Sequence, residues 1–232
     1  MLVVDTGDTL YGKSAADRAQ APLLIAAMNA MGYDAMALGE YDLMVGLAEV
    51  QARFREAQFP VLSANAGPAE TLGVLPYVVR AYGEHRVALI GVTSPTAQAR
   101  GATLGVSLSV EDPLQAVQRA VQEVQGQADV ILVLSNLSAE LNKRMAAEVP
   151  GIDAILGAAG GATIQAFEVP GPEGMVVLQA AGTEGQGIGV LTLGFDRQGH
   201  VVSYSGSIWF LTPSYADNPE MVRLMQQYGV RP

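Results

Sequence analysis

The chain contains no cysteine and only two histidines, His85 and His200, among its 232 residues. The first absence removes disulfides, thiolate nucleophiles and cysteine-based zinc or iron–sulfur sites. The second leaves too little imidazole for a centre built on several histidine ligands. Basic residues are scarce too: 13 Lys and Arg face 23 Asp and Glu, a formal charge of −10. Such a surface repels a phosphate backbone, and no basic stripe with interleaved aromatics interrupts it, so nucleic acid is not an expected partner. No apolar run reaches the roughly 18–20 residues of a transmembrane segment. Met1-Leu2-Val3-Val4 is too short for a signal peptide and no basic residues precede it. A chain without cysteine suits cytoplasm and periplasm alike.

What remains is a hydrophobic, α/β-patterned chain. Half of the residues are hydrophobic, which is enough for a sizeable core. Short apolar runs at 1–6, 35–38, 59–63, 129–134 and 152–156 read as buried strands. Residues 15–31 read as a helix ending at Gly32, with Pro22 either bending it or marking its true first turn. Further helices are expected at 47–57, 113–124, 139–149 and 219–228. Residues 77–82 and 86–93 flank Gly83-Glu84 as a hairpin. Beyond Thr163 the pattern changes to strands at 175–180, 188–195 and 201–211 with Gly-rich turns. No repeat, low-complexity tract or linker divides the chain, so one domain over 1–232 is expected.

Gly7-Asp8-Thr9-Leu10-Tyr11-Gly12-Lys13-Ser14 matches the phosphate-binding pattern GxxxxGK[ST]. It offers one reading, a P-loop nucleotide-binding protein. Against it, Asp8 would put a carboxylate where backbone N–H groups must cradle phosphate. No later strand ends in an obvious magnesium-binding aspartate.

A second reading explains more of the chain. Asp5-Thr6-Gly7-Asp8, Leu38-Gly39-Glu40-Tyr41-Asp42, Leu62-Ser63-Ala64-Asn65, Val133-Leu134-Ser135-Asn136-Leu137-Ser138 and the segment from Pro150 to Gly161 occur in order. Together they resemble the 5′-nucleotidase branch of the calcineurin-like metallophosphoesterases, from Leu2 to about Leu211. The resemblance implies an α/β, four-layer α-β-β-α sandwich of two mixed sheets. It also implies phosphate-ester hydrolysis at two metal ions bound at the sheet ends. It places Asp8 at the metal-bridging aspartate and Glu40 at a metal-binding asparagine. Tyr41 takes the place of the catalytic histidine that protonates the leaving group. Asn136 takes the place of a metal-binding histidine, and Ala159 and Gly161 stand at two more histidine positions. Asp5 and Asp42 are weaker ligand candidates.

These departures remove imidazoles while keeping the surrounding framework. Amide, methyl and hydrogen do not replace an imidazole on a transition metal. A tyrosine hydroxyl, with an ordinary pKa near 10, is a poor proton carrier at neutral pH. The leading expectation is therefore a degenerate, catalytically impaired nucleotidase-like domain, retained for binding or scaffolding and with no cofactor. The alternative is an active phosphate-ester hydrolase in which Asp8, Glu40 and Asp42 hold one divalent cation such as Mg, Ca or Mn. Asp8 reads equally as a turn residue accepting backbone amides, and Glu40 and Asp42 as solvated carboxylates at a strand end. His85 and His200 read as exposed hairpin residues, and Met28, Met31 and Met36 as core packing.

The family's opening strand, with its Asp-x-His ligands, has no counterpart in this numbering. Either it lies outside this numbering or the fold does without it, and the edge of the strand at 2–5 is expected to be covered by another segment or a partner chain. The resemblance implies a periplasmic or cell-surface location. It supplies no C-terminal nucleotide-specificity domain within these residues. Trp209-Phe210-Leu211 and the last helix offer a docking surface for a partner or neighbouring domain; the other reading, that this helix caps the domain's own core, stands beside it.

Overall fold

The computed structural model describes residues 1–10, 20–44, 46–103, 107–157, 165–180, 186–196 and 200–231. The chain opens with β1 (Val4–Asp5), α1 (Ala21–Met31), β2 (Ala35–Ala37), a 3-10 turn (Tyr41–Leu43), α2 (Leu47–Glu56) and β3 (Val61–Leu62). Then come β4 (Ala66–Gly67), α3 (Ala69–Leu72), β5 (Tyr77–Tyr82), β6 (His85–Val92), α4 (Thr96–Thr103) and β7 (Ser109–Val110). The second half adds α5 (Pro113–Val124), β8 (Val130–Ser135), α6 (Ala139–Glu148), β9 (Ala154–Gly157) and β10 (Phe167–Gly171). It closes with β11 (Gly174–Gln179), β12 (Gly187–Phe195), β13 (Val201–Phe210) and α7 (Pro219–Gln227).

Local chemistry sets these boundaries. α1 carries Pro22 in its first turn, where the missing N–H costs nothing, and stops at Gly32 with φ 70°. The Asp112 carboxylate caps α5 by accepting the Gln115 N–H, and the Ser138 hydroxyl caps α6 by accepting that of Leu141.

One sheet has six strands in the order β10-β11-β9-β8-β6-β5. Strands β11, β9, β8 and β6 run parallel, and β10 and β5 pair antiparallel at the two edges. The facing layer comprises a parallel sheet β1-β2-β3 and the antiparallel pair β12-β13. The period-2 alternation of each strand divides its side chains between two cores. In β2, Ala35 and Ala37 face the six-stranded sheet with Leu62, Leu89, Leu132 and Val177. Met36 faces outward among Ile25 and Met28 of α1 and Val50 of α2. In β8, Val130, Leu132 and Leu134 face inward, while Ile131 and Val133 meet Val117 and Val121 of α5 and Met145 of α6. Two helical layers thus enclose two β layers.

The small side chains of Ala35 and Ala37 allow the two β layers to approach closely. An ideal Cβ on Gly91 of β6 would sit 2.3 Å from the Leu62 carbonyl oxygen of β3. Among the described residues no strand pairs with the second edge of β1, so the expected cover for that edge is not found there.

Several elements go beyond the sequence expectations. β10, α4 and the two-residue pair β4-β7 were not anticipated. His85 is the first residue of β6 instead of an exposed turn residue, and its ring lies tilted against Phe195 with centroids 4.6 Å apart. Residues 11–19, which include Lys13 and Ser14 of the P-loop pattern, lie outside the described residues, as do Ala159 and Gly161.

Candidate functional site

Parallel strands deliver their following loops to one end of a sheet. Here β1, β2, β6 and β8 bring Asp8, Glu40–Asp42, Thr93–Thr96 and Asn136 together at their C-terminal ends. The hub of this cluster is Asp42, in the 3-10 turn after β2. It is fully buried, and its carboxylate accepts the backbone N–H groups of Gly39 at 2.8 Å, Leu10 at 2.9 Å and Asp8 at 3.0 Å. Burial pushes its pKa up to about 7; the Leu10 and Gly39 N–H groups oppose the rise, and the negative charges of Asp8 and Asp5 add to it. Asp42 is therefore not the solvated carboxylate expected from sequence.

Asp8 lies in the left-handed region at φ 66°. That conformation is uncommon for a residue with a side chain, and aspartate tolerates it better than most. It aims the carboxylate across the site. One oxygen accepts the Tyr41 N–H at 2.7 Å and the other accepts the Asn136 amide Nδ2 at 3.0 Å. Gly39 fits tightly against it: an ideal Cβ there would lie 2.2 Å from the Asp8 nitrogen.

The remaining candidate ligands are engaged as well. Asp5 accepts the Gly7 N–H at 2.8 Å and the Thr9 hydroxyl at 2.7 Å. Burial raises its pKa; the Thr9 and Gly7 hydrogen bonds oppose the rise and the Asp8 charge reinforces it. The Glu40 carboxylate accepts the Thr96 hydroxyl, and the Glu40 N–H donates to Asn136 Oδ1 at 3.2 Å. The structure brings Asp8, Glu40, Tyr41, Asp42 and Asn136 together.

It missed Thr93 and Thr96. Thr93 is fully buried; its hydroxyl donates to the Leu38 carbonyl at 2.8 Å, and its N–H donates to Asn65 Oδ1 at 2.9 Å. Asn65 Nδ2 returns a bond to the Thr93 carbonyl at 2.8 Å. These contacts fix the end of β2, and with it the Gly39-Glu40-Tyr41 loop. The available signal was a polar pair, Thr93-Ser94, directly after the apolar run of β6.

Neither histidine joins the site. His85 begins β6 while Thr93 follows its last residue, so His85 stands about 25 Å away at the opposite end of the sheet. His200 is exposed and pairs with Asp196 near that same far end.

A pair of transition ions 3.5–4 Å apart needs several ligands each. Asp5, Asp8, Glu40 and Asp42 all accept hydrogen bonds from protein donors. Among the described residues no three His, Cys, Asp or Glu side chains form a group able to hold a metal ion. The described residues by themselves therefore do not fit such a pair. Nor do these described residues form a phosphate cradle. The N–H groups of Gly7, Asp8 and Leu10 point to Asp5 and Asp42, so the described part of the P-loop pattern turns its donors onto carboxylates.

The chain aligns with human 5′-nucleotidase at 28% identity over 254 positions, covering 100% of this chain and 44% of the human protein. Its fold superimposes on the 5′-nucleotidase precursor of Thermus thermophilus with TM-score 0.86 and 26% identity, covering 98% of this chain and 49% of that one. In sequence and in fold the chain is similar to 5′-nucleotidases. The calcineurin-like phosphoesterase YfkN of Bacillus subtilis shares the fold at TM-score 0.77 and 21% identity, over 98% of this chain and 82% of that one. No family model matches the sequence. The nucleotidase-like chain spans less than half the length of the human protein it matches.

Proposed function

We propose that this nucleotidase-like domain does not turn over phosphate esters and serves as a binding or scaffold module. The observation that supports this is the state of its carboxylates. Asp5, Asp8, Glu40 and Asp42 accept backbone or side-chain donors of the protein itself. The position that would protonate a leaving group carries Tyr41, a phenol where the resemblance implies an imidazole, and a phenol is a poor proton carrier at neutral pH.

The docking surface we favour is the end of the β12-β13 ribbon. Ile188 and Trp209 are cross-strand partners there, 51% and 57% exposed, and Phe210 and Leu211 follow at 53% and 51%. Large apolar side chains grouped this way mark contact surfaces more often than isolated ones do. α7 packs against α1 with no residue fully buried, which leaves part of its Met221, Leu224 and Met225 face available. A periplasmic or cell-surface location is part of the proposal, supported by the match to a nucleotidase precursor. Among the described residues no helix is long and apolar enough to cross a membrane.

The test is a phosphatase assay on nucleotide and generic esters with manganese, zinc, cobalt or calcium. The expected result is background hydrolysis under every condition. Turnover well above background that disappears in Asp8→Asn would return the domain to the active hydrolases. A clean monomer in size-exclusion chromatography, with no retained partner, would count against the ribbon as a docking surface.

A further inference from the structure

We propose that the side-chain amide of Asn136 takes over the bridging job of a cation, joining the loop after β1 to the loop after β2 and making the site self-supporting without metal. The idea rests on the reading above and adds to it a specific residue and a specific exchange of ion for amide.

The geometry is a three-way tie. Asn136 Nδ2 donates to Asp8 at 3.0 Å, and Asn136 Oδ1 accepts the Glu40 N–H at 3.2 Å. These partners lie 128 and 96 residues away in sequence. The second Asp8 oxygen accepts the Tyr41 N–H at 2.7 Å, which closes the connection between the two loops. A divalent ion links groups only through their acceptors. An amide offers a donor on one side and an acceptor on the other, so it can hold a carboxylate and an N–H at once. Glu40 presents an N–H here, which no ion could use.

The amide is also carried on a fixed turn. The Asn136 N–H donates to the Val92 carbonyl at 3.0 Å. Its neighbours Ser135 and Leu137 are buried, and the Ser135 hydroxyl accepts the Leu137 N–H at 3.1 Å. A side chain on such a turn loses little freedom when it makes its two bonds.

Asn136→Asp inverts the chemistry. It replaces the donor that faces Asp8 with an acceptor and sets two carboxylates at hydrogen-bond distance. Like charges that close disfavour joint ionisation, and a hard cation is the natural group to reconcile them. Asn136→Leu removes both bonds and offers a cation nothing.

The experiment is thermal melting of the whole chain in EDTA and then with millimolar manganese or calcium. The wild-type midpoint is expected to stay within about a degree across all three conditions, since a cation that does not bind the native state adds no stability. Asn136→Leu is expected to melt about 3–10 °C lower, with no recovery on adding metal. Asn136→Asp is expected to melt lower in EDTA and to recover with manganese or calcium. A wild-type midpoint that falls in EDTA and returns with manganese would overturn the proposal, as would an unchanged midpoint in Asn136→Leu. If Asn136→Asp does not fold, these two arms still decide. Hydrolysis with cation-independent melting removes the functional reading and spares the tie. Cation-dependent melting without hydrolysis does the reverse.

Discussion

The Asp8 backbone N–H donates to the buried carboxylate of Asp42 over 3.0 Å, across 34 residues of sequence. One side chain thereby sets the path of two loops, since Gly39 and Leu10 bond to the same carboxylate.

That anchor makes stability depend on pH in a definite direction. Burial raises the Asp42 pKa from 3.8 to about 7, so between these values the folded state binds a proton more tightly than the unfolded chain. Stability from this group is complete below about pH 4 and is lost as pH rises through about 7. Asp5 is shifted in the same direction. The melting midpoint is expected to rise by a few degrees between pH 7.5 and pH 5.5, at roughly 2–4 °C per kcal/mol for a domain of this size. Relief of the overall negative charge acts the same way, so Asp42→Asn is the control. It should flatten the slope; an equally steep slope in that variant would assign the effect elsewhere.

Asp8 combines an unusual backbone with two side-chain bonds. Asp8→Asn keeps tolerance for the left-handed region and part of the bonding. Asp8→Ala loses both bonds and pays for the conformation. Denaturant titration should place Asp8→Ala below Asp8→Asn by about 1–3 kcal/mol. Equal stability of the two would show that neither bond matters.

Gly91 marks the closest approach of the two β layers. Its added Cβ would meet backbone atoms of Leu62 at 2.3–2.4 Å, and backbone cannot rotate away. Gly91→Ala should therefore lower stability by at least about 2 kcal/mol or yield insoluble protein. A midpoint within a degree of wild type would mean that the layers have slack.

The second edge of β1, unpaired among the described residues, gives a local prediction. The Val3 carbonyl accepts the Asp34 N–H on the β2 side. By strand alternation the Val4 N–H points to the other edge. Its exchange with deuterium should be fast compared with amides of β8, such as Leu132. Strong protection at Val4 would reveal a covering segment or a second chain.

Much of the framework was legible because each signal had a single physical meaning. The unbroken apolar run of β8 reads as a strand covered on both faces. Pro22 and Gly32 bracket α1. β10 was hidden because it contains Pro170 and Gly171, which read as a turn although both are allowed on an edge strand. α4 was hidden because Thr96–Thr103 carries only a short, weakly apolar face. At the site, the motif order brought Asp8, Glu40 and Asn136 together. Spacing could not say which carboxylate turns inward. Burial of Asp42 follows from three amides converging on it, and that convergence exists only after β1 and β2 are paired.

The ribbon of β12 and β13 is fastened unevenly. Leu191, Leu193, Phe195 and Tyr204 press into the core between the layers, and Phe195 clasps His85 at that end. Ala166 bonds to the Gly206 carbonyl about midway. Past that point Ile188, Trp209 and Phe210 stand clear of the body. The ribbon is therefore anchored along its inner half, and a partner docking on Ile188 and Trp209 would cover apolar surface that the core leaves exposed.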